Sequence, residues 1–202
     1  MINEVRMPKQ KRSIEKRKKI IDAGWKLISQ NGYYNTKTQE IALLAGVSTG
    51  IVYQYFKDKH DILLAGIQAY ADDVFFPILK DDFENVKIDD FKSFIKSIID
   101  EYINEHKLSK SAHEEIMAMV HTDEDVSKYY YEREMTITNK ICDLLIHNDM
   151  KIDNIEEKVH IMVGLIDNLC HEVVYHKHDG LNYKAMSEIV IENIINIINL
   201  KK

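Results

Sequence analysis

TKTQEIALLAGVSTGIVYQYF, Thr36 to Phe56, is the stretch on which the reading of this chain turns. It reads as two short helices around a glycine turn. Thr36 and Gln39 have the spacing of a capping box, so the first of the two is expected to start at Thr36. Ile41, Leu44 and Ala45 are expected to point inward, with small Ala42 where the helices cross. Gly46 supplies the turn, and Ser48 caps the next helix. Val47 before that cap and Val52 after it sit at the positions of a hydrophobic staple. Val52 and Phe56, four residues apart, lock the helix to a core. Thr49, Gly50 and Tyr53 form its opposite stripe, and Asp58 is expected to cap a further helix from Lys59.

The pattern extends outward from there. Residues 1–12 read as a loose basic arm. A helix from Ser13 to Asn31 follows, with Ile14, Ile20, Ile21, Trp25, Leu27 and Ile28 at helical spacing and Gly32 as its stop. Downstream, helical patterns cover about 59–84 (bent by Pro77), 90–106, 109–121, 124–148, 154–177 and 183–200. Strand-like alternation is absent. Seven Gly and two Pro in 202 residues leave few breakers, so the expected fold is all-α with about nine helices. The expected division is residues 1–58, an arm and helix-turn-helix head, and residues 59–202, a larger helical body.

Charge divides the same way. Residues 1–60 carry 12 Lys/Arg against 5 Asp/Glu, and residues 61–202 carry 15 against 28. A basic head on an acidic body fits a nucleic-acid contact confined to the head. No apolar run approaches the roughly 20 residues needed to cross a bilayer, and the N-terminus lacks a signal-peptide core. A cytoplasmic location without membrane partners is expected. Cys142 and Cys170 lie outside any CxxC pair and are expected as reduced thiols.

A helix-turn-helix lays its second helix in the major groove while the first braces across the backbone. The short side chains of Thr49 and Gly50 permit close approach, and the hydroxyls of Tyr53 and Tyr55 suit phosphates. Lys59 stands at a helix N-terminus, where free N–H groups also favour an anion. Gly32-Tyr33, Thr36, Ile41-Ala42, Ala45-Gly46-Val47-Ser48, Gly50, Tyr53, Phe56, Lys59 and Ile62-Leu63 together resemble the N-terminal domain of the TetR family of transcriptional regulators. The resemblance covers about residues 13–63. Beyond it, length and helical character are the only likeness.

That resemblance implies a dimer built on the last two helices, a palindromic double-stranded operator, and repression relieved by a small molecule. Carried over by position, Gln39, Thr49, Gly50 and Ile51 face bases. Thr36, Thr38, Ser48, Tyr53, Tyr55 and Lys59 hold phosphates. Lys9, Lys11, Arg12, Lys16, Arg17, Lys18 and Lys19 reach the neighbouring backbone or minor groove. Thr49 stands where the family often has Lys. Ile51 replaces a residue that is often polar, and an exposed Ile there would meet a thymine methyl.

In the body, the helix at 183–200 shows almost no polar face, and the helix at 154–177 offers a matching apolar stripe. Ile155, Val159, Met162, Val163, Ile166, Leu169, Val173, Ile191, Ile194, Ile195 and Ile198 are therefore the expected homodimer interface. Polar or aromatic groups on apolar helices mark a possible effector pocket: Tyr102, Met117, His121, Met135, Asn168, His171 and Tyr175. Asn168 and His171 are expected to share a cavity wall. No HExxH or supported histidine pair occurs, so no metal or cofactor is expected. No nucleophile–base motif or phosphate loop supports an enzyme. A transcriptional activator with the same DNA-binding mode, or a helical protein-interaction module, stand as alternatives.

Overall fold

The computed structural model describes residues 11–74, 87–105 and 108–198. Among these the fold is all-α, with nine helices and no strand. They are α1 (Lys11–Asn31), α2 (Thr38–Ala45), α3 (Thr49–Tyr55), α4 (Lys59–Val74), α5 (Phe91–Glu105), α6 (Lys110–Thr122), α7 (Glu124–His147), α8 (Ile155–Tyr175) and α9 (Tyr183–Ile198). They fall into two compact units. The first holds α1 to α4, α6 and the start of α7; the second holds α5, the rest of α7, α8 and α9. No helix is long and apolar enough to cross a membrane among the described residues.

The first unit packs α1 against α2, α4 and α6. Ile20, Ile21, Ile41, Ala42, Val52, Phe56 and Ile62 form its core. Two glycines set the closeness of α1 and α4. A Cβ on Gly24 would lie 2.4 Å from Ile62 Cγ2, and one on Gly66 would lie 3.0 Å from the Trp25 ring. Gly32 and Gly46 both adopt positive φ, at 86° and 68°, which a side chain would oppose. Ser48 Oγ accepts the Ile51 N–H at 3.4 Å, and Asp58 Oδ1 accepts the Asp61 N–H at 3.0 Å, so both predicted caps form. Val47 and Val52 both reach the head core, as a staple requires.

Several local expectations change. The cap of α2 is shifted by one residue: Lys37 precedes Thr38, and Glu40 Oε2 accepts the Lys37 N–H at 3.0 Å. Thr36 is instead buried, its hydroxyl donating to the Gly32 carbonyl at 2.8 Å. Ile14 and Leu44 are 52% and 47% exposed, so neither belongs to the core. The helix-four backbone departs from helical geometry at Tyr70 (φ −129°, ψ 24°). There the phenol donates to Asp22 Oδ1 at 2.6 Å, and the ring stacks on Trp25. Lys9, Pro77, Leu200 and the expected extension of helix four to residue 84 lie outside the described residues.

In the second unit α5, α8 and α9 pack together. Ile95, Ile99, Val159, Met162, Val163, Ile166, Leu169, Ile191, Ile194 and Ile198 are buried there. Each fully buried Ile or Leu removes apolar area worth roughly 2–3 kcal/mol from water. These residues therefore close the unit's own core and are not free to meet a second chain. Ile155, Val173 and Ile195 are half-buried. Helix nine also has a polar side after all: Glu188, Glu192, Asn193 and Asn196 are exposed, with Ile189 among them at 57%. The outward stripe of α8 is Ile161, Gly164 and Asn168 with half-buried Leu165.

Candidate nucleic-acid interface

Which side of α3 is exposed follows from how the helix is held. Val52 and Phe56 are buried, so the helix can present only its opposite side. Tyr53 is 48% exposed, and Gly50, Gln54 and the α2 residue Gln39 are exposed with it. Thr38 and Thr49 are half-buried at the rim. Gly50 is informative because the fold does not ask for it. A Cβ there would meet nothing closer than Ser48 Oγ at 3.9 Å, and its φ is not positive. A glycine inside a helix costs about 1 kcal/mol relative to alanine. The bare backbone at Gly50 therefore has no internal use.

Other predicted contacts have internal partners. Ile51 is half-buried and packs on the head core, so it is not the exposed side chain expected to meet a methyl group. Tyr55 also packs there, with its hydroxyl 2.7 Å from Ser13 Oγ, joining α3 to α1. Ser48 is exposed, with its Oγ engaged as the helix cap.

Lys59 turns inward from the α4 N-terminus. Its ammonium donates to the carbonyls of Tyr33 (2.6 Å) and Thr36 (2.8 Å) and lies over the Tyr33 ring. Burial lowers its pKa, opposed by the Glu115 charge. With Thr36 bonded to Gly32, both residues brace the α1–α2 turn and depart from the open phosphate ligands expected of them.

The basic residues from Lys11 onward lie on α1 and do not belong to a loose arm, since Lys11 and Arg12 are already helical. Lys11, Arg12 and Lys19 are exposed, and Lys16 is half-buried. Arg17 sits over the Phe56 ring at 5.0 Å, and Lys18 pairs with Asp22 at 2.7 Å. The sequence carried no sign of Glu115. This α6 residue accepts the Tyr34 N–H at 3.1 Å, and a Cβ on Gly32 would strike its carboxylate. A link across 81 residues has no local signature.

The effector candidates separate. Met117 (half-buried) and His121 (exposed) belong to the first unit. In the second unit Met135 is 45% exposed and Asn168 is exposed, so Asn168 does not share a wall with His171. Tyr102, His171 and Tyr175 do gather. The buried Tyr102 hydroxyl donates to Asp167 Oδ1 at 2.5 Å and lies 3.2 Å from His171 Nε2. His171 Nδ1 is 3.2 Å from Asp167 Oδ2. The Tyr175 ring lies 6.2 Å from the imidazole, and burial pushes its phenol pKa up. Asp167 was missed because an acid between Ile166 and Asn168 reads as surface.

One group among the described residues brings three metal-type ligand atoms within 4.8 Å: Asp58, His60 and Asp61. Its carboxylates are already placed by capping, accepting the Asp61 and Lys57 N–H groups, and His60 Nε2 is 2.7 Å from Asp123.

Residues 20–65 match the model of the bacterial regulatory proteins, tetR family. Residues 20–65 are thus similar to the DNA-binding head of the tetR family. The chain is 50% identical over 58 residues to the HTH-type transcriptional regulator HbdR of Aromatoleum sp., covering 29% of this chain and 25% of HbdR. It is 47% identical over 57 residues to the fatty acid metabolism regulator protein of Bacillus subtilis, 28% of each chain. The matched segment thus spans little more than a quarter of these curated relatives. The fold extends further. A tetR-family transcriptional regulator from Streptomyces coelicolor superposes with a TM-score of 0.63 at 16% identity, over 91% of this chain and 80% of that one. The TetR-family likeness is therefore a family-model match over residues 20–65 and a likeness of fold over most of the chain.

Proposed function

We propose that this chain is a TetR-family transcriptional repressor that binds a palindromic operator as a homodimer and leaves it when a small molecule binds its body. The observation that carries the reading is the exposed, sterically unneeded Gly50 on a helix whose other side is pinned by Val52 and Phe56. A rigid helix with bare backbone at its start suits close approach to base edges. Gln39, Thr49, Gly50, Tyr53 and the additional Gln54 make the reading surface. Thr38, Ser48 and the exposed Lys11, Arg12 and Lys19 supply the phosphate contacts. DNA contact is assigned to residues 1–58, and effector binding and dimerisation to residues 59–202.

The dimer face moves from the expected residues. Most of those are used inside the unit, so the second copy is assigned to the outward stripes of α8 and α9, Ile161, Gly164, Leu165 and Ile189. A Cβ on Gly164 would meet nothing within 4 Å, which leaves room for a partner helix. The effector is assigned to the Tyr102, Asp167, His171 and Tyr175 cluster, where polar groups are gathered among apolar helices.

Selection of bound DNA from a random pool tests the head, and a screen for compounds that release the selected DNA tests the body. A palindrome with half-sites about one helical turn apart, roughly 34–36 Å, is expected. Recovery of no sequence preference would remove the reading.

A further inference from the structure

We propose that a cleft between α5 and α9 is a second small-molecule site, suited to a zwitterion with an apolar middle, for which a short peptide with free termini is the model. The cleft has a volume of about 480 Å³, within the range of ligand pockets, and lies wholly in the second unit. The Tyr102, Asp167 and His171 side chains do not line it.

Its floor is apolar, with Ile99 and Ile191 buried and Val173 half-buried. Its walls are charged in a patterned way. Lys92 and Lys96 stand one turn apart on α5, and Glu188 and Glu192 stand one turn apart on α9. One turn beyond, Asp100 closes the α5 row and Lys184 opens the α9 row, so both signs face the same space. Like charges four apart on a helix disfavour that helix slightly, and both helices carry such a pair here. Opposite charges that line one cleft would ordinarily pair. Among the described residues none of these six forms an ion pair within 4.0 Å.

The walls therefore hold unmatched ammonium and carboxylate groups apart above an apolar floor. A molecule with an anionic end, a cationic end and an aliphatic middle satisfies all three surfaces. Each exposed charge contact contributes little alone, so selectivity needs both ends of the ligand at once. The aliphatic middle supplies the rest by covering the isoleucines. This site is independent of the DNA-binding reading.

Calorimetric titration of the full chain with the tripeptide Leu-Leu-Leu tests it, alongside the N-acetylated and C-amidated forms. Saturable one-to-one binding of the free peptide is expected. Blocking either end should weaken it at least about 5-fold, as should Lys96→Gln or Glu188→Gln. Circular dichroism of those surface variants establishes that the helices remain. Absence of binding by the free peptide at millimolar concentration would overturn the proposal. Equal binding of a blocked form would overturn it too, because the cleft would then read one charge or none.

Discussion

Replacing Gly24 by alanine should destabilise the head, although alanine is the better helix former. The added Cβ lies 2.4 Å from Ile62 Cγ2 and 3.7 Å from Ile41 Cδ1. Carbon atoms in good contact sit about 3.5–4.0 Å apart, so α1 and Ile62 must separate by roughly 1 Å. Ile62 is fully buried, and a β-branched side chain in a helix has one strongly preferred χ1 rotamer. The methyl cannot swing away, so α4 itself has to move. Intrinsic propensity returns about 1 kcal/mol in favour of alanine, whereas overpacking costs about 1–3 kcal/mol. With a stiff neighbour the upper part of that range applies, leaving a net loss of about 1–2 kcal/mol. Urea unfolding followed by fluorescence of Trp25, the single tryptophan, reads this unit directly. The midpoint should fall while the m-value stays the same. Ile62→Leu moves the branch from Cβ to Cγ and removes the offending methyl. The double variant should therefore be more stable than the sum of the two singles. Additive losses, or a G24A protein as stable as the parent, would refute the close-approach argument.

Three further outcomes are expected. Lys59→Met should cost about 1–3 kcal/mol by leaving the Tyr33 and Thr36 carbonyls without their charged donor. It should leave the salt slope of DNA binding unchanged; a slope lower by about one would make Lys59 a phosphate ligand instead. Tyr70→Phe should cost about 1 kcal/mol near neutral pH, the low end because Asp22 is 40% exposed. Burial alone would raise the Asp22 pKa, but hydrogen bonds from Lys18 and Tyr70 and the Lys18 charge outweigh it and hold it below the usual carboxylate value. That contribution is present above the unfolded-state pKa near 3.8 and is lost as pH falls through the lower folded value. The gap between Tyr70→Phe and parent should thus narrow below about pH 4 in denaturation curves. Ile161→Glu with Ile189→Glu should convert a dimer to a monomer in sedimentation velocity without unfolding it; a persisting dimer would place the interface elsewhere.

The head was legible in the sequence because its signals are local. Ser48 and Asp58 cap within three residues, Gly46 turns the chain alone, and Val52 and Phe56 lie on one face by spacing. Its errors are also local rules overridden at a distance. Thr36 leaves the cap to donate its hydroxyl to the Gly32 carbonyl, and Lys59 leaves the surface to donate to two turn carbonyls. Ile51 and Tyr55 carry polar-surface positions in the pattern, yet the head core is wide enough to cover both. The body was legible only as helices. Apolar stripes on α8 and α9 do not reveal whether the neighbour is α5 or a second chain, and here α5 takes much of them. The Tyr102–Asp167 bond spans 65 residues, beyond any periodicity.

The most direct measurement of the central claim is a gel-shift titration of a selected palindrome with parent and Gly50→Leu protein. Gly50 is exposed, a Cβ there meets nothing closer than 3.9 Å, and leucine favours the helix. The variant should be at least as stable as the parent while its specific binding falls at least about 5-fold, as expected for a lost base-edge contact of about 1–3 kcal/mol. A stable variant that binds the palindrome as tightly as the parent would contradict it.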